Sequence, residues 1–187
     1  MRRVPAEVTY QEGIYVGYRY YDTYKVPVSY EFGYGLSYSA FSYSNLKLSS
    51  TAFNNEITVS IDVKNTGKVP GREVAEVYLS APSKKLDKPA KELKAFGKTR
   101  LLKPGESQTL SFIINSRDLA SFDTASSSWI ADAGNYKVSV GSSSRDIRQT
   151  GSFSLAGDLT VEKDSQALQP HREIVEFNGK DKPETLY

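Results

Sequence analysis

The stretch from Ile57 to Val63 constrains the fold of this chain more than any other part of the sequence. Its apolar residues are Ile57, Val59, Ile61 and Val63, and the residues between them and after them are Thr58, Ser60, Asp62 and Lys64. A period of two places the apolar side chains on one face of a β-strand and the polar side chains on the other. The stretch therefore predicts a half-buried strand, which the turn residues Asn65-Thr66-Gly67 end.

Similar alternation recurs further along the chain, with turn residues between the segments. The segments that carry it are 74–80, 93–102, 110–114, 136–140 and 153–155. Pro104 and Gly105 form a turn after the second of these, because Pro sets φ and Gly accepts a positive φ. Only Arg117 to Phe122 has a briefly helical pattern. The sequence therefore predicts an all-β, antiparallel two-layer β-sandwich of about seven strands.

The chain divides into three parts by composition. Residues 1–39 are aromatic and glycine-rich, residues 40–156 hold the strand patterns, and residues 157–187 are polar. We interpret the first part as a strand and loop that belong to a neighbouring domain, with the strand at 15–21. The third part has an apolar cluster only at Ile174, Val175 and Phe177, and we expect an extended arm or partial disorder there.

Charge and composition exclude several classes of function. Lys and Arg total 24 against 22 Asp and Glu, which gives no argument for nucleic acid or an anionic membrane as a partner. With no cysteine, disulfides and thiol chemistry are excluded. No apolar run approaches the roughly 20 residues of a membrane helix. Residues 1–5 have no apolar stretch after their arginines, so they do not resemble a signal peptide, and the localisation stays open.

The tyrosines are unevenly distributed, since most of the 13 lie between Tyr10 and Tyr43. Their rings suit stacking on sugars, with the hydroxyl as a hydrogen-bonding group. Tyrosine is equally suited to strands and interfaces, and we prefer this structural interpretation. The single tryptophan, Trp129, lies between two strand patterns, and we expect it to be largely buried.

Several motifs resemble, in order, the C-terminal end of glycoside hydrolase family 3 enzymes of the β-glucosidase type. Residues 10–22 are similar to the end of the family's α/β sandwich domain, and residues 32–38 to the link that follows it. The last domain of the family is fibronectin type III-like, and its pattern is matched by the segments 63–67, 71–78, 91–96, 102–106 and 136–147. The resemblance covers roughly residues 10–155 and implies an immunoglobulin/fibronectin type III-like sandwich.

The catalytic groups that the resemblance implies are missing from this chain. Family 3 enzymes resemble retaining glycosidases, whose Asp nucleophile lies in a barrel domain and whose Glu acid/base lies in the α/β domain, both upstream of this region. Such chemistry needs two carboxyl groups about 5 Å apart. We therefore expect a non-catalytic accessory domain that packs on the barrel and α/β domains of the same or a partner chain, and that self-associates without them.

Two alternatives stay open at this point. One is an independent carbohydrate-binding module, which would need aligned aromatic side chains on an exposed face. In the other, Tyr34 and Tyr38 border the substrate site of the parent enzyme.

Other residues offer little for catalysis, cofactors or metals. Glu73 and Glu76 would point to opposite faces of a strand, Glu12 is interpreted as structural, and His171 lies in the polar tail. We expect no catalytic, cofactor-binding or metal-binding residue, although calcium held by Asp and backbone oxygens is not excluded. Arg19 and Asp22 are predicted to form an ion pair.

Overall fold

The computed structural model describes Tyr10, residues 12–165 and Val175, and within these residues the chain forms mainly antiparallel strands. Two short helices are present, α1 (Tyr18–Thr23) and α2 (Ser116–Leu119). The strands are β1 (Phe41–Leu48), β2 (Glu56–Asn65), β3 (Val74–Ser80), β4 (Glu92–Lys98), β5 (Ser107–Asn115), β6 (Ser121–Asp123), β7 (Ser128–Ala131), β8 (Gly134–Gly141), β9 (Ile147–Leu155) and β10 (Leu159–Lys163).

The first layer of the sandwich is a sheet of three strands in the order β1-β2-β5. Ile57 to Val63 lie in its central strand, and their four alternating apolar side chains are fully buried. Strand β2 pairs with β5 without a register shift, from Glu56 opposite Asn115 to Lys64 opposite Ser107. The predicted half-buried strand is therefore confirmed.

The second layer is a sheet of four strands in the order β4-β3-β8-β9. Its inner face contributes Val77, Val138 and Val140 to the core, together with the rings of Tyr136 and Phe153, which stack with centroids 5.4 Å apart. The core lies between the two sheets, as expected for a β-sandwich. The all-β, immunoglobulin/fibronectin type III-like prediction is confirmed.

The buried Asn65 is the last residue of strand β2, and its side chain holds the turn that follows the strand. Its side-chain nitrogen Nδ2 donates to the carbonyls of Val69 and Leu102, each at 2.8 Å, and its Oδ1 accepts from Gly67 N–H at 2.9 Å. Its own carbonyl accepts from Gly105 N–H at 2.9 Å. Gly105 has φ 82°, so the second turn, at residues 103–106, uses the positive φ that the sequence predicts there.

A small third sheet, in the order β10-β7-β6, extends the strand region beyond the end that the sequence predicts. Strand β10 pairs with β7 from Leu159 to Lys163, so paired strands continue beyond residue 156, into the part predicted to be a polar tail. This strand is short and has only two apolar residues, so its alternation is a weak signal. The rest of the predicted apolar cluster in the tail lies outside the described residues, apart from the exposed Val175.

The sequence predicts that Trp129 is largely buried; it lies on this small sheet with intermediate burial and is not part of the hydrophobic core between the two main sheets. The Arg117 guanidinium lies 3.9 Å from its ring centroid, and its Nε1 donates to Asp164 at 3.0 Å. A ring covered by a polar cation and bonded at its edge remains close to solvent, since both partners are themselves exposed groups.

The strand predicted for residues 15–21 is also wrong. Gly17 has φ 60°, and its carbonyl accepts the N–H groups of Tyr20 and Tyr21 at 3.0 and 3.1 Å. These bonds close a helical turn and start α1. A positive φ at glycine interrupts an extended run at little steric cost, which the tyrosine-rich composition did not indicate.

Candidate interdomain surface

Residues 12–38, called here the docked segment, cover the outer face of strand β3. All five central residues of β3 are buried, which means that the strand is covered on both faces. On the outer face, the Tyr18 ring meets Tyr78 edge-on at 5.9 Å and stacks on Phe32 at 4.7 Å. The Leu93 N–H donates to the Tyr18 hydroxyl at 2.7 Å, which fixes α1 against strand β4.

Gly33 lies directly on the carboxylate of Glu76. A Cβ at this position would lie 2.4 Å from both carboxylate oxygens, and the φ of 84° also favours glycine. The Tyr78 hydroxyl donates to Glu76 Oε2 beneath it. Burial raises the pKa of Glu76, although the hydrogen bond from Tyr78 opposes the shift. The segment and the strand therefore fit together only because position 33 has no side chain.

Asp22 is the main electrostatic anchor of the docked segment. Its carboxylate accepts from Arg145 Nε at 2.7 Å and lies 3.3 Å from Lys91 Nζ, and its side chain is only 6% exposed. Arg145 also donates from Nη2 to the carbonyls of Tyr21 and Val26. Burial alone would raise the pKa of Asp22, but the hydrogen bond from Arg145 and the charge of Lys91 lower it overall.

The predicted ion pair between Arg19 and Asp22 is therefore wrong. Arg19 Nη2 instead lies 3.1 Å from the carboxylate of Glu92 on β4. On one turn of a helix the two residues are neighbours, but each finds an opposite charge on the sandwich. The ion pairs of Arg19 with Glu92 and of Asp22 with Arg145 therefore both join the docked segment to the sandwich.

Further hydrogen bonds join the two ends of the docked segment to loops of the sandwich. Near its start, the Tyr15 hydroxyl donates to Asp87 at 2.8 Å. Near its end, the Ser143 hydroxyl donates to Glu31 at 2.9 Å and the Ser144 N–H to the Phe32 carbonyl at 2.8 Å. These anchors run from Tyr15 to Gly33 and make this part of the segment one packed unit with the sandwich.

The outward side of this region carries an exposed apolar surface, called here the aromatic surface. Its members are exposed large apolar residues at the start of the chain: Tyr10, Val16, Tyr21, Tyr30, Phe32, Tyr34, Leu36 and Tyr38. The Tyr30 and Tyr34 rings lie 4.9 Å apart, and a depression of about 250 Å³ lies beside Tyr21, Tyr30 and Phe32. Exposed apolar patches of this kind mark interaction sites.

The two tyrosines named as substrate-border residues both belong to this surface. Tyr34 is 48% exposed and Tyr38 is fully exposed. Nothing in the described part of the chain covers the Tyr38 ring, so its contacts must come from another domain or molecule if it is to be buried.

The acidic residues considered for catalysis are separated and occupied. Glu73 accepts from the Tyr43 hydroxyl at 3.0 Å, whereas Glu76 accepts from Tyr78 beneath the docked segment. Glu12 is exposed. His171 lies outside the described residues.

Within the described residues, no group of three His, Cys, Asp or Glu side chains is arranged to hold a metal ion. No helix in the same part of the chain has the length and apolar character that crossing a membrane requires.

Sequence reasoning missed the anchors of the docked segment. Asp22 and Arg145 are 123 positions apart, and single charged residues carry no pattern that pairs them at that separation. The one local signal in the sequence is the glycine at position 33, a residue type that suits a close backbone approach but does not identify the partner.

Comparison with known proteins agrees with this architecture. The family model of the fibronectin type III-like domain matches residues 73–144. Beta-glucosidase A of Butyrivibrio fibrisolvens is 40% identical over 184 residues, which cover 87% of this chain and 22% of the relative. A beta-glucosidase of Ruminococcus albus is 40% identical over 167 residues, covering 86% of this chain and 17% of the relative. The chain thus spans about a fifth of the length of these relatives.

Solved structures show the same relationship. Beta-glucosidase 3B from Thermotoga neapolitana, in complex with α-D-glucose, aligns with a TM-score of 0.77 and 51% identity over 81% of this chain and 21% of that structure. The GH3 beta-glucosidase of Bifidobacterium adolescentis aligns with a TM-score of 0.77 and 36% identity over 90% of this chain and 25% of that structure. The chain therefore corresponds to the C-terminal part of glycoside hydrolase family 3 proteins of the β-glucosidase type, including their fibronectin type III-like domain.

Proposed function

We propose that this chain is an accessory domain that stabilises a β-glucosidase-like enzyme by packing against its other domains. The observation that carries the proposal is the aromatic surface, which lies on a segment that is anchored to the sandwich between Tyr15 and Gly33. A rigid apolar surface suits an interdomain contact, because little conformational entropy is lost when it is covered. The relatives are larger proteins of which this chain spans about a fifth, which supports packing against other domains of a longer chain.

In this proposal the division of the chain follows the function of its parts. Residues 1–39 are the end of the α/β domain and its linker, residues 40–156 are the sandwich, and residues 157–187 are the tail, whose strand β10 pairs with β7 in the small third sheet. The partners are the catalytic barrel and α/β domains, which supply the nucleophile and the acid/base. The chain alone hydrolyses no glycoside, because retaining chemistry needs both carboxyl groups.

The proposal includes a specific place for the two exposed tyrosines. Tyr34 and Tyr38 follow the Gly33 turn, at the end of the docked segment, and both project from the sandwich. They border the substrate site that the neighbouring domains form. Without those domains the aromatic surface is open, and the chain self-associates through it.

The test is complementation of a truncated relative. Thermotoga neapolitana beta-glucosidase 3B is made without the part that this chain matches, and the chain is then added to it. We expect binding in calorimetry and an increase in thermal stability of the truncated enzyme. Leu36→Asp should abolish the binding, since it places a charge on the aromatic surface, whereas Ile113→Asp is the control, because Ile113 is exposed on strand β5.

Two results would contradict the proposal. The first is a monomeric chain that neither binds nor stabilises the truncated enzyme. The second is equal binding by the Leu36→Asp and Ile113→Asp variants, which would show that the aromatic surface is not the contact.

A further inference from the structure

A second feature, the charged cleft, lies between the docked segment and the small third sheet. Its volume is about 540 Å³, which falls in the range of about 300–1,000 Å³ typical of small-molecule sites. One side is formed by Tyr15 and Arg19 of the docked segment and by Glu92 of β4. The other side is formed by α2, Phe122 of β6 and Trp129 of β7. The docked segment supplies one side of the cleft, so the cleft exists only because the segment is docked.

The charges that line the cleft balance one another. They are three cations, Arg19, Lys94 and Arg117, and three carboxylates, Asp87, Glu92 and Asp118. A net charge of zero gives no long-range attraction for an anion or a cation, which require an excess of the opposite sign. The same groups are strong hydrogen-bond donors and acceptors, so they favour a neutral ligand that has many hydroxyl groups.

The charged groups on the segment side form a connected network. Arg19 lies 3.1 Å from one oxygen of Glu92, and Lys94 lies 3.3 Å from the other. The Tyr15 hydroxyl donates to Asp87 at 2.8 Å. These contacts fix the orientation of the polar groups before any ligand arrives, which reduces the ordering cost of binding. A hydroxyl can donate to a carboxylate and accept from a cation at the same time, as such a network requires.

The opposite side supplies an aromatic face. The Phe122 ring lies 5.5 Å from Trp129 at an interplanar angle of 58°, and Phe122 is 39% exposed. Arg117 covers the Trp129 ring, so the partly open Phe122 ring is the one available for stacking. Apolar C–H faces of a sugar ring pack on such an aromatic face, while the sugar hydroxyls point toward polar groups.

We propose that the charged cleft binds a short neutral oligosaccharide, with one sugar ring on Phe122 and its hydroxyls on Glu92, Arg19 and Asp87. The aromatic surface takes no part in this binding, so the proposal stands independently of interdomain packing. Affinity in the millimolar range is expected, because the cleft is open and one aromatic face carries the apolar contact.

The experiment is an NMR titration of the full chain with cellobiose, followed through backbone amides and the Trp129 indole N–H. We expect shifts confined to residues that line the charged cleft. Phe122→Ala should weaken binding about tenfold, which corresponds to about 1.4 kcal/mol. The matched control is Phe96→Ala, since Phe96 is 70% exposed on β4 and does not line the cleft. Its affinity should match that of the unchanged chain.

A second probe tests the role of charge balance. Cellobionate has nearly the same size as cellobiose but carries a carboxylate, and we expect it to bind more weakly. Glu92→Gln keeps the shape of the side chain and should weaken cellobiose binding.

Three outcomes would overturn the proposal: no shifts at millimolar cellobiose, shifts that lie on the aromatic surface, or equal binding by Phe122→Ala and Phe96→Ala. The complementation result would be unaffected by any of them, so failure of the two proposals can be told apart.

Discussion

Removal of the Arg145 side chain should release the docked segment while leaving the sandwich folded. Arg145→Ala deletes the 2.7 Å contact with Asp22 and two hydrogen bonds to backbone carbonyls of the segment. Asp22 is 6% exposed, and breaking a buried ion pair from one side typically costs about 3–5 kcal/mol. Arg145 itself is 35% exposed and Lys91 remains beside Asp22, so solvent and the second cation reduce the effect. We therefore expect Arg145→Ala to lower the free energy of local opening of the docked segment by about 2 kcal/mol.

Hydrogen exchange measures this loss directly, because the segment opens locally rather than with the whole domain. A loss of 2 kcal/mol corresponds to about thirtyfold faster exchange. The affected amides are those of Tyr20, Tyr24 and Val26, which are bonded within the segment, and of Leu93, which is bonded to Tyr18. Amides in the centre of strand β2 should exchange at an unchanged rate.

Arg148→Ala is the matched control. Arg148 pairs with Asp146 at 2.7 Å, but both side chains are more than 40% exposed. An exposed pair contributes at most about 1 kcal/mol, so the docked segment should remain protected. If Arg145→Ala and Arg148→Ala leave the same protection in residues 20–26, the ion pair to Asp22 does not hold the segment, and the argument from burial is refuted.

Four further predictions follow from individual contacts. Gly33→Ala should weaken docking of the segment by about 2–3 kcal/mol in hydrogen exchange, because of the contact with Glu76 and the positive φ, whereas Gly35→Ala, with open space around it, should not. Trp129→Ala should lower the unfolding free energy in urea by only about 1–2 kcal/mol, against about 3–5 kcal/mol for the fully buried Tyr136→Ala; equal losses would place Trp129 in the core. Burial raises the folded-state pKa of Glu76, so the stability that protonated Glu76 contributes is present at acid pH and is lost as the pH rises through that pKa. Glu76→Gln should therefore gain stability relative to the unchanged chain from about pH 4.5 to neutrality. A difference in unfolding free energy that does not change with pH would contradict this. The chain alone should release no nitrophenol from aryl β-glucosides, and turnover that persists after repurification and is abolished by Glu12→Gln would contradict the missing-carboxylate argument.

The amino-acid sequence by itself determined the class of fold. The alternation from Ile57 to Val63 is local, and a period of two is compatible with only one kind of backbone, so the strands and the sandwich followed from it. The turn at Gly105 was equally predictable, because proline and glycine restrict φ at their own positions. The ordered motifs indicated the family, since they depend on residue identity alone.

Only the tertiary structure decided how the docked segment is used. Asp22 could meet Arg19 on its own helical turn, yet it pairs with Arg145, which is 123 positions away. Trp129 is large and apolar but remains partly open, because Arg117 and Asp164 meet it at the protein surface. The charged cleft joins residues from Ile14 to Trp129. Such contacts depend on the relative positions of distant elements, which no local periodicity encodes, and this is why the ion-pair anchors and the charged cleft were not predictable from the sequence.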